Sequence, residues 1–115
     1  MSSSNLFKVE LSSRFVRGTK KLAKKYRSIK DDIANLVTEL KKCPSIGDEM
    51  CEHIYKIRLP ISSKNKGKSS GARIITAVIV NKNTVILVDI YEKSAKQNLS
   101  LREINALKKL FLSEK

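Results

Sequence analysis

The chain has 115 residues, enough for one domain with one modest core. Aromatics make up 5% and Trp is absent, so aliphatic side chains must fill that core; two cysteines are too few for a disulfide scaffold, and no apolar run is long enough to span a membrane. A net charge of +13 favours a polyanion or an acidic protein as partner, and the excess is uneven: residues 54–100 carry nine cations and two acids.

Asn5 to Leu11 reads as a first strand with blurred alternation. Ser12 or Ser13 can cap a helix reaching about Tyr26, with Phe15, Thr19, Leu22 and Tyr26 on one side. Lys20, Lys21, Lys24, Lys25 and Arg27 then lie largely outside that stripe. Ser28 and Asp31, three apart, resemble a capping box for a second helix running to about Lys42. Its stripe is Ile29, Ile33, Leu36, Val37 and Leu40, and Pro44 and Gly47 stop it.

The period then changes from helical to two. Tyr55, Ile57 and Leu59 alternate with Lys56 and Arg58. The loop Ser62 to Gly71 follows, with three lysines, four serines, two glycines and no acid. Ala72 to Val80 is almost wholly apolar apart from Arg73 and Thr76, Asn81-Lys82-Asn83 is a turn, and Thr84 to Lys93 is a further strand. Strict alternation on that strand groups Val85, Leu87, Asp89 and Tyr91 against Ile86, Val88 and Ile90. Ser100 and Glu103 form a capping box opening a last helix with Leu101, Ile104, Leu107, Leu110 and Phe111 on its apolar side. Residues 1–115 therefore read as a single small α+β domain: an antiparallel sheet, an N-terminal helical hairpin and a C-terminal helix, with the sheet covered mainly on one face.

Strand parity suggests one open basic face. If Tyr55, Ile57 and Leu59 pack on the helices, then Lys56 and Arg58 point away, and Arg73, Tyr91 and Lys93 can join them. Lys64, Lys66 and Lys68, with Ser69 and Ser70, would stand at the rim, where lysine charge, hydroxyls and loop N–H groups suit phosphate. Such a cluster can bind RNA and can assist attack of a 2′-hydroxyl on its own phosphate without a metal. Arginine and lysine would stabilise phosphoryl oxygens, a lysine made less basic by like charges could take the hydroxyl proton, and Tyr91 could serve the leaving oxygen or stack a base. The blander readings are a solvated sheet face for Lys56 and Arg58, a half-buried strand aromatic for Tyr91, and a salt bridge from Arg73 to Asp89 or Glu92.

Other chemistries fit poorly. Gly67-Lys68-Ser69 lacks the glycine a phosphate-binding P-loop needs at position 62, where Ser stands, and a strand rather than a helix follows. Cys43, Cys51 and His53 match no zinc spacing, so no metal and no cofactor is expected. The lone cysteine pair and the absence of a leader-like start suggest a reducing, cytoplasmic setting.

In order and spacing, Ser13-Arg14-Phe15, Leu22 to Tyr26, Tyr55 to Leu59, Lys66 to Arg73 and Ile90 to Ser94 resemble the RelE/ParE superfamily of bacterial toxins, particularly its HigB-like branch. The resemblance implies a ribosome-dependent messenger-RNA endonuclease that leaves a 2′,3′-cyclic phosphate or its opened product. It implies catalytic or phosphate-binding roles for Lys56, Arg58, Lys68, Arg73, Tyr91 and Lys93, and RNA contacts for Lys64, Lys66, Ser69 and Ser70. It also implies a cognate antitoxin with a helix-turn-helix, which would bring the DNA operator contact, and messenger RNA on the ribosome as substrate. The alternatives are a non-nucleolytic toxin of the same fold, such as a gyrase inhibitor, and a basic RNA- or protein-binding module.

Overall fold

A computed structural model describes residues 6–63, 71–93 and 100–112; within the last helix the side chains of Leu101, Leu107, Leu110, Phe111 and Leu112 lie outside that description. In chain order the elements are β1 (Lys8–Leu11), α1 (Ser13–Ala23), α2 (Ile29–Lys42), β2 (Asp48–Cys51), β3 (Ile54–Leu59), β4 (Ala72–Ile79), a 3-10 turn (Val80–Lys82), β5 (Thr84–Glu92) and α3 (Leu101–Leu112). The strands form one sheet in the order β1-β5-β4-β3-β2.

The meander β2 to β5 is antiparallel; short connections at 52–53 and 80–83 require this for β2–β3 and β4–β5, and β3 pairs antiparallel with β4 across the longer segment 60–71. β1 differs: it joins β5 in parallel, Lys8 opposite Thr84 through Leu11 opposite Leu87, so the sheet is mixed. A parallel pair needs a long crossover, and here the whole of α1 to β4 supplies it. β2 is an element that sequence pattern does not announce. Its four residues Asp-Glu-Met-Cys have no apolar alternation and pair with Lys56 to Ile54 across a bulge between Glu49 and Cys51.

The helical spacing of Phe15, Leu22, Ile29, Ile33, Leu36 and Leu40 turns α1 and α2 onto one sheet face, against Ile57, Leu59, Ile74, Val78, Val85, Leu87 and Ile90. Fully burying each such aliphatic side chain stabilises by about 1.5–3 kcal/mol before conformational entropy is counted. The other face was expected to be open. It carries a second apolar cluster of Ile54, Ile75, Ala77 and Val88, on which Ile104 of α3 packs. β4 supplies residues to both clusters and is buried along nearly its whole length, which is why its sequence is a continuous apolar run.

Local chemistry explains the helix ends. Ser12 caps α1, its hydroxyl accepting from the Phe15 N–H at 3.0 Å. α1 stops at Ala23, a turn short of the expected Tyr26. The Ser28–Asp31 capping box does not form; Ser28 donates instead to Asp32 at 2.8 Å. At α3 the box does form, with Ser100 N–H to Glu103 at 2.9 Å and Glu103 N–H to Ser100 Oγ at 3.1 Å. Gly18 allows α1 to lie close on β5, since a Cβ there would stand 2.9 Å from the Ile90 carbonyl oxygen.

β5 contains the irregularity that matters most. Ile75 faces Asp89 while Thr76 faces Leu87, so Val88 is an extra residue, a β-bulge. The strand's parity reverses there. Val85 and Leu87 point to α1 and α2 before the bulge, whereas Ile90 does so after it. Asp89 and Tyr91 are thereby moved to the face of Arg73 and α3, correcting the strict alternation that grouped them with Leu87. Ser12 holds the bulge from outside: its hydroxyl donates to the Val88 carbonyl at 2.7 Å, and its N–H to the Leu87 carbonyl at 3.0 Å.

Ser12→Ala removes both the cap and the side-chain tether to the bulge. Loss of stability of about 1–3 kcal/mol is expected. A urea titration should show a lower midpoint at unchanged slope; a shift below about 0.5 kcal/mol would mean that the tether contributes nothing.

Candidate nucleic-acid interface

The ladders bring three of the candidate residues into one line. Arg58 on β3 lies directly opposite Arg73 on β4, and Arg73 lies directly opposite Tyr91 on β5. Adjacent strands are about 4.8 Å apart, so the line crosses the sheet in about 10 Å. Lys56 belongs to the next line, with Ile75 and Asp89, and lies opposite Asp48 on its other side. Lys93 falls just past β5, its N–H donating to the Gly71 carbonyl at 3.1 Å, and is half-buried. Lys64, Lys66, Lys68, Ser69 and Ser70 lie outside the described residues.

Like charges placed directly opposite on a sheet are destabilising. Arg58 is exposed, so water screens it, but Arg73 retains only 7% of its surface. The two acids of its neighbouring strand β5 are engaged elsewhere. Asp89 pairs with Arg14 at 3.3 Å and accepts from the Ile90 N–H at 2.9 Å. Glu92 pairs with Lys25 at 3.0 Å and accepts the Tyr26 hydroxyl. Arg73 donates to the Ala72 carbonyl at 3.2 Å and makes no ion pair among the described residues. A buried guanidinium without a carboxylate is an unfavourable arrangement that a bound anion would relieve.

Tyr91 is half-buried against the small apolar cluster under α3, and its hydroxyl oxygen is buried. Burial pushes its phenol upward; the Asp89 and Glu103 carboxylates push the same way, and the Arg73 charge opposes them. The phenol therefore holds its proton throughout the neutral range and is a hydrogen-bond donor. α3 brings Glu103 to this site, an acid that sequence pattern assigns only to helix capping.

The basic loop is anchored where it begins. Asp32, on the buried side of α2, accepts the Ser62 hydroxyl at 2.6 Å and the Ser62 N–H at 3.0 Å. The Ser28 hydroxyl also donates to Asp32, and the Ser63 N–H donates to Ser28 Oγ at 2.8 Å. Sequence reasoning misses this clasp, although one signal is present: Asp32 shares a helix face with Ile29 and Leu36, an odd place for a charge. Burial raises the Asp32 pKa, but the hydrogen bonds from Ser62 and Ser28 outweigh it and bring the carboxyl below its ordinary value.

Among the described residues, no group of three or more His, Cys, Asp or Glu side chains is placed to hold a metal, and no helix is long and apolar enough to cross a membrane.

The sign of the Asp32 shift fixes a pH dependence. A carboxyl depressed on folding contributes stability that is complete above its unfolded value and is lost as pH falls through the folded one. The stability difference between wild type and Asp32→Ala should thus be largest at neutral pH and shrink below about pH 4. Thermal unfolding of both proteins across this range tests it; a difference that does not change with pH would contradict the clasp.

The family model described as "RelE toxin of RelE / RelB toxin-antitoxin system" matches residues 7–113. No curated protein matches in sequence. Among solved structures, the chain is similar to a double arginine-to-alanine mutant of E. coli toxin RelE in the free state, with a TM-score of 0.62 and 20% identity over 93% of this chain and 99% of that one. It is also similar to the isolated E. coli RelE toxin, with a TM-score of 0.58 and 19% identity over 91% and 99%. The intact E. coli RelBE toxin-antitoxin complex matches with a TM-score of 0.56 and 21% identity, over 73% of this chain and 93% of that one.

Proposed function

The chain belongs to the RelE toxin family, and we propose that it inhibits translation as a metal-independent endoribonuclease acting on messenger RNA at the ribosome in the cytoplasm. The observation that carries this reading is the line Arg58–Arg73–Tyr91, in which a buried guanidinium with no ion pair among the described residues stands between a second arginine and a neutral phenol. A phosphodiester is the group this set fits.

In the proposed reaction the RNA 2′-oxygen loses its proton to solvent and attacks the adjacent phosphorus, the bond to the 5′-oxygen breaks, and a 2′,3′-cyclic phosphate remains. Negative charge gathers on the non-bridging oxygens, where Arg73 and Arg58 stabilise it. The 5′-oxygen needs a proton as it leaves, and the Tyr91 phenol is a donor on the same line. Because the Tyr91 ring packs on the small apolar cluster, we assign it the proton-donating role rather than base stacking. Lys56, Lys68 and Lys93 are proposed to add to the positive field, and Lys64, Lys66, Ser69 and Ser70 to hold flanking phosphates. In the conformation described, Arg73 is buried and Tyr91 is half-buried against the cluster on which Ile104 of α3 packs, so contact with RNA requires both side chains to be uncovered.

An acidic segment of a cognate antitoxin is the proposed protein partner, and the RelBE complex with its similar toxin fold supports one. Recognition of operator DNA is assigned to that partner, through a helix-turn-helix.

The test is cleavage of a translated message by purified protein, with transcript ends mapped. Arg73→Ala should slow cleavage about 100-fold or more, and Tyr91→Phe by a similar factor. EDTA should leave the wild-type rate unchanged, whereas 2′-deoxy substitution at the scissile nucleotide should abolish cutting. Circular dichroism and a urea midpoint establish that each variant is folded before rates are compared. A Tyr91→Phe rate equal to wild type would remove the tyrosine from the mechanism; an Arg73→Ala rate equal to wild type would remove the line itself.

A further inference from the structure

The line Arg58–Arg73–Tyr91 leads off the sheet at β5, and what lies beyond is not another strand. β1 pairs with β5 only as far as Leu87. Past the bulge, the outer edge of β5 faces α1 across an open groove of about 700 Å3 that Tyr91 also lines. The wall formed by α1 and the turn that ends it presents Arg17, Lys20, Lys21, Lys24 and Lys25, all exposed. Arg17, Lys20 and Lys21 stand at i, i+3 and i+4 on one face of α1, about 5–6 Å between neighbours and close to the spacing of successive phosphates along a nucleic-acid strand, and Lys24 and Lys25 extend the row into the turn.

From this we infer that the α1–β5 groove is a second RNA-backbone site, which holds the phosphates flanking the cleaved bond on the β5 side. The inference rests on the proposed reading of the line as an RNA site and extends that track by one wall. Three observations favour RNA here. The groove's acids, Asp89 and Glu92, are already paired with Arg14 and Lys25. Arg17, Lys20, Lys21 and Lys24 make no ion pair among the described residues. The groove is also open to solvent whereas Arg73 is buried, so a strand can dock on α1 before it reaches the line.

An acidic protein segment would need apolar anchors as well as charge. Its two large aliphatic side chains, Leu22 and Ile90, lie in the floor at 8% and 4% exposure, which leaves Tyr91 as the one large apolar side chain within reach. The large apolar side chains that do remain exposed, Leu6, Leu11 and Val80, do not line it. Gly18 contributes by its lack of a side chain: a Cβ would press on Ile90, and helix and strand could not approach this closely.

The experiment is fluorescence anisotropy of the full chain with a uniformly 2′-O-methylated RNA of about ten nucleotides, which 2′-hydroxyl attack cannot cut. Lys20→Ala/Lys24→Ala is compared with Lys30→Ala/Lys42→Ala, which removes the same charge from exposed positions on α2. The groove variant should bind about tenfold more weakly than the control. Its dependence of log K on log salt should be shallower by about 0.7 for each phosphate that the variant no longer neutralises. Equal weakening of both variants would mean that net charge alone is sensed and would overturn the inference. So would failure of the wild type to bind, or unchanged RNA affinity in a groove variant that no longer retains an acidic protein partner. Because the probe is uncleavable, a protein that binds it through α1 but never cuts RNA would refute the nuclease reading and leave the groove standing. A protein that cuts RNA but binds this probe independently of α1 would do the reverse.

Discussion

One extra residue in β5 decides which side chains meet. Without the bulge at Val88, Tyr91 would follow Leu87 onto the face covered by α1 and α2, and Arg73 would have an aliphatic neighbour in its place. Bulges of this kind re-aim side chains locally while the ladder on either side stays regular. Three contacts from the N-terminal segment secure it: Ser12 to the Leu87 and Val88 carbonyls, and Arg14 to Asp89. The Asp89 carboxylate that takes up Arg14 also satisfies the Ile90 N–H on the strand edge that β1 has left, so one side chain closes an edge and keeps an acid away from Arg73.

Much of the architecture was legible because the physics behind it is local. The stripes Phe15–Leu22 and Ile29–Ile33–Leu36–Leu40, the Ser12 cap and the Ser100–Glu103 box each depend on residues a turn or two apart. Alternation on β3 also held, with Ile57 and Leu59 buried and Arg58 exposed. What could not be read depends on partners distant in sequence. The parallel placement of β1, the bulge, the covering of the second face by α3 and the existence of β2 are all set by tertiary pairing. Ser28 shows the same lesson on a small scale. Its local option was Asp31, but Asp32 also gathers two donors from Ser62, and the larger network won.

For the candidate site, residue types were legible and environments were not. Arg58, Arg73 and Tyr91 can be named from the sequence, and the ladders place them on one line. That Arg73 is buried, that Asp89 and Glu92 turn away to Arg14 and Lys25, and that α3 carries Glu103 up to Tyr91 follow only from the assembled fold. These are the features on which the proposed anion site rests, and a solvated basic surface lacks them.

The clasp between Ser12 and Val88 joins residues 76 positions apart, and β1 can pair only with a strand that is made long after it. Contacts of such separation form late, because closing the intervening loop costs entropy before the contact returns anything. On a growing chain the helical pair can begin to assemble early, but the line of Arg58, Arg73 and Tyr91 cannot exist until β5 has emerged. On the proposed reading, the order of the strands alone delays assembly of that line until most of the chain has been made.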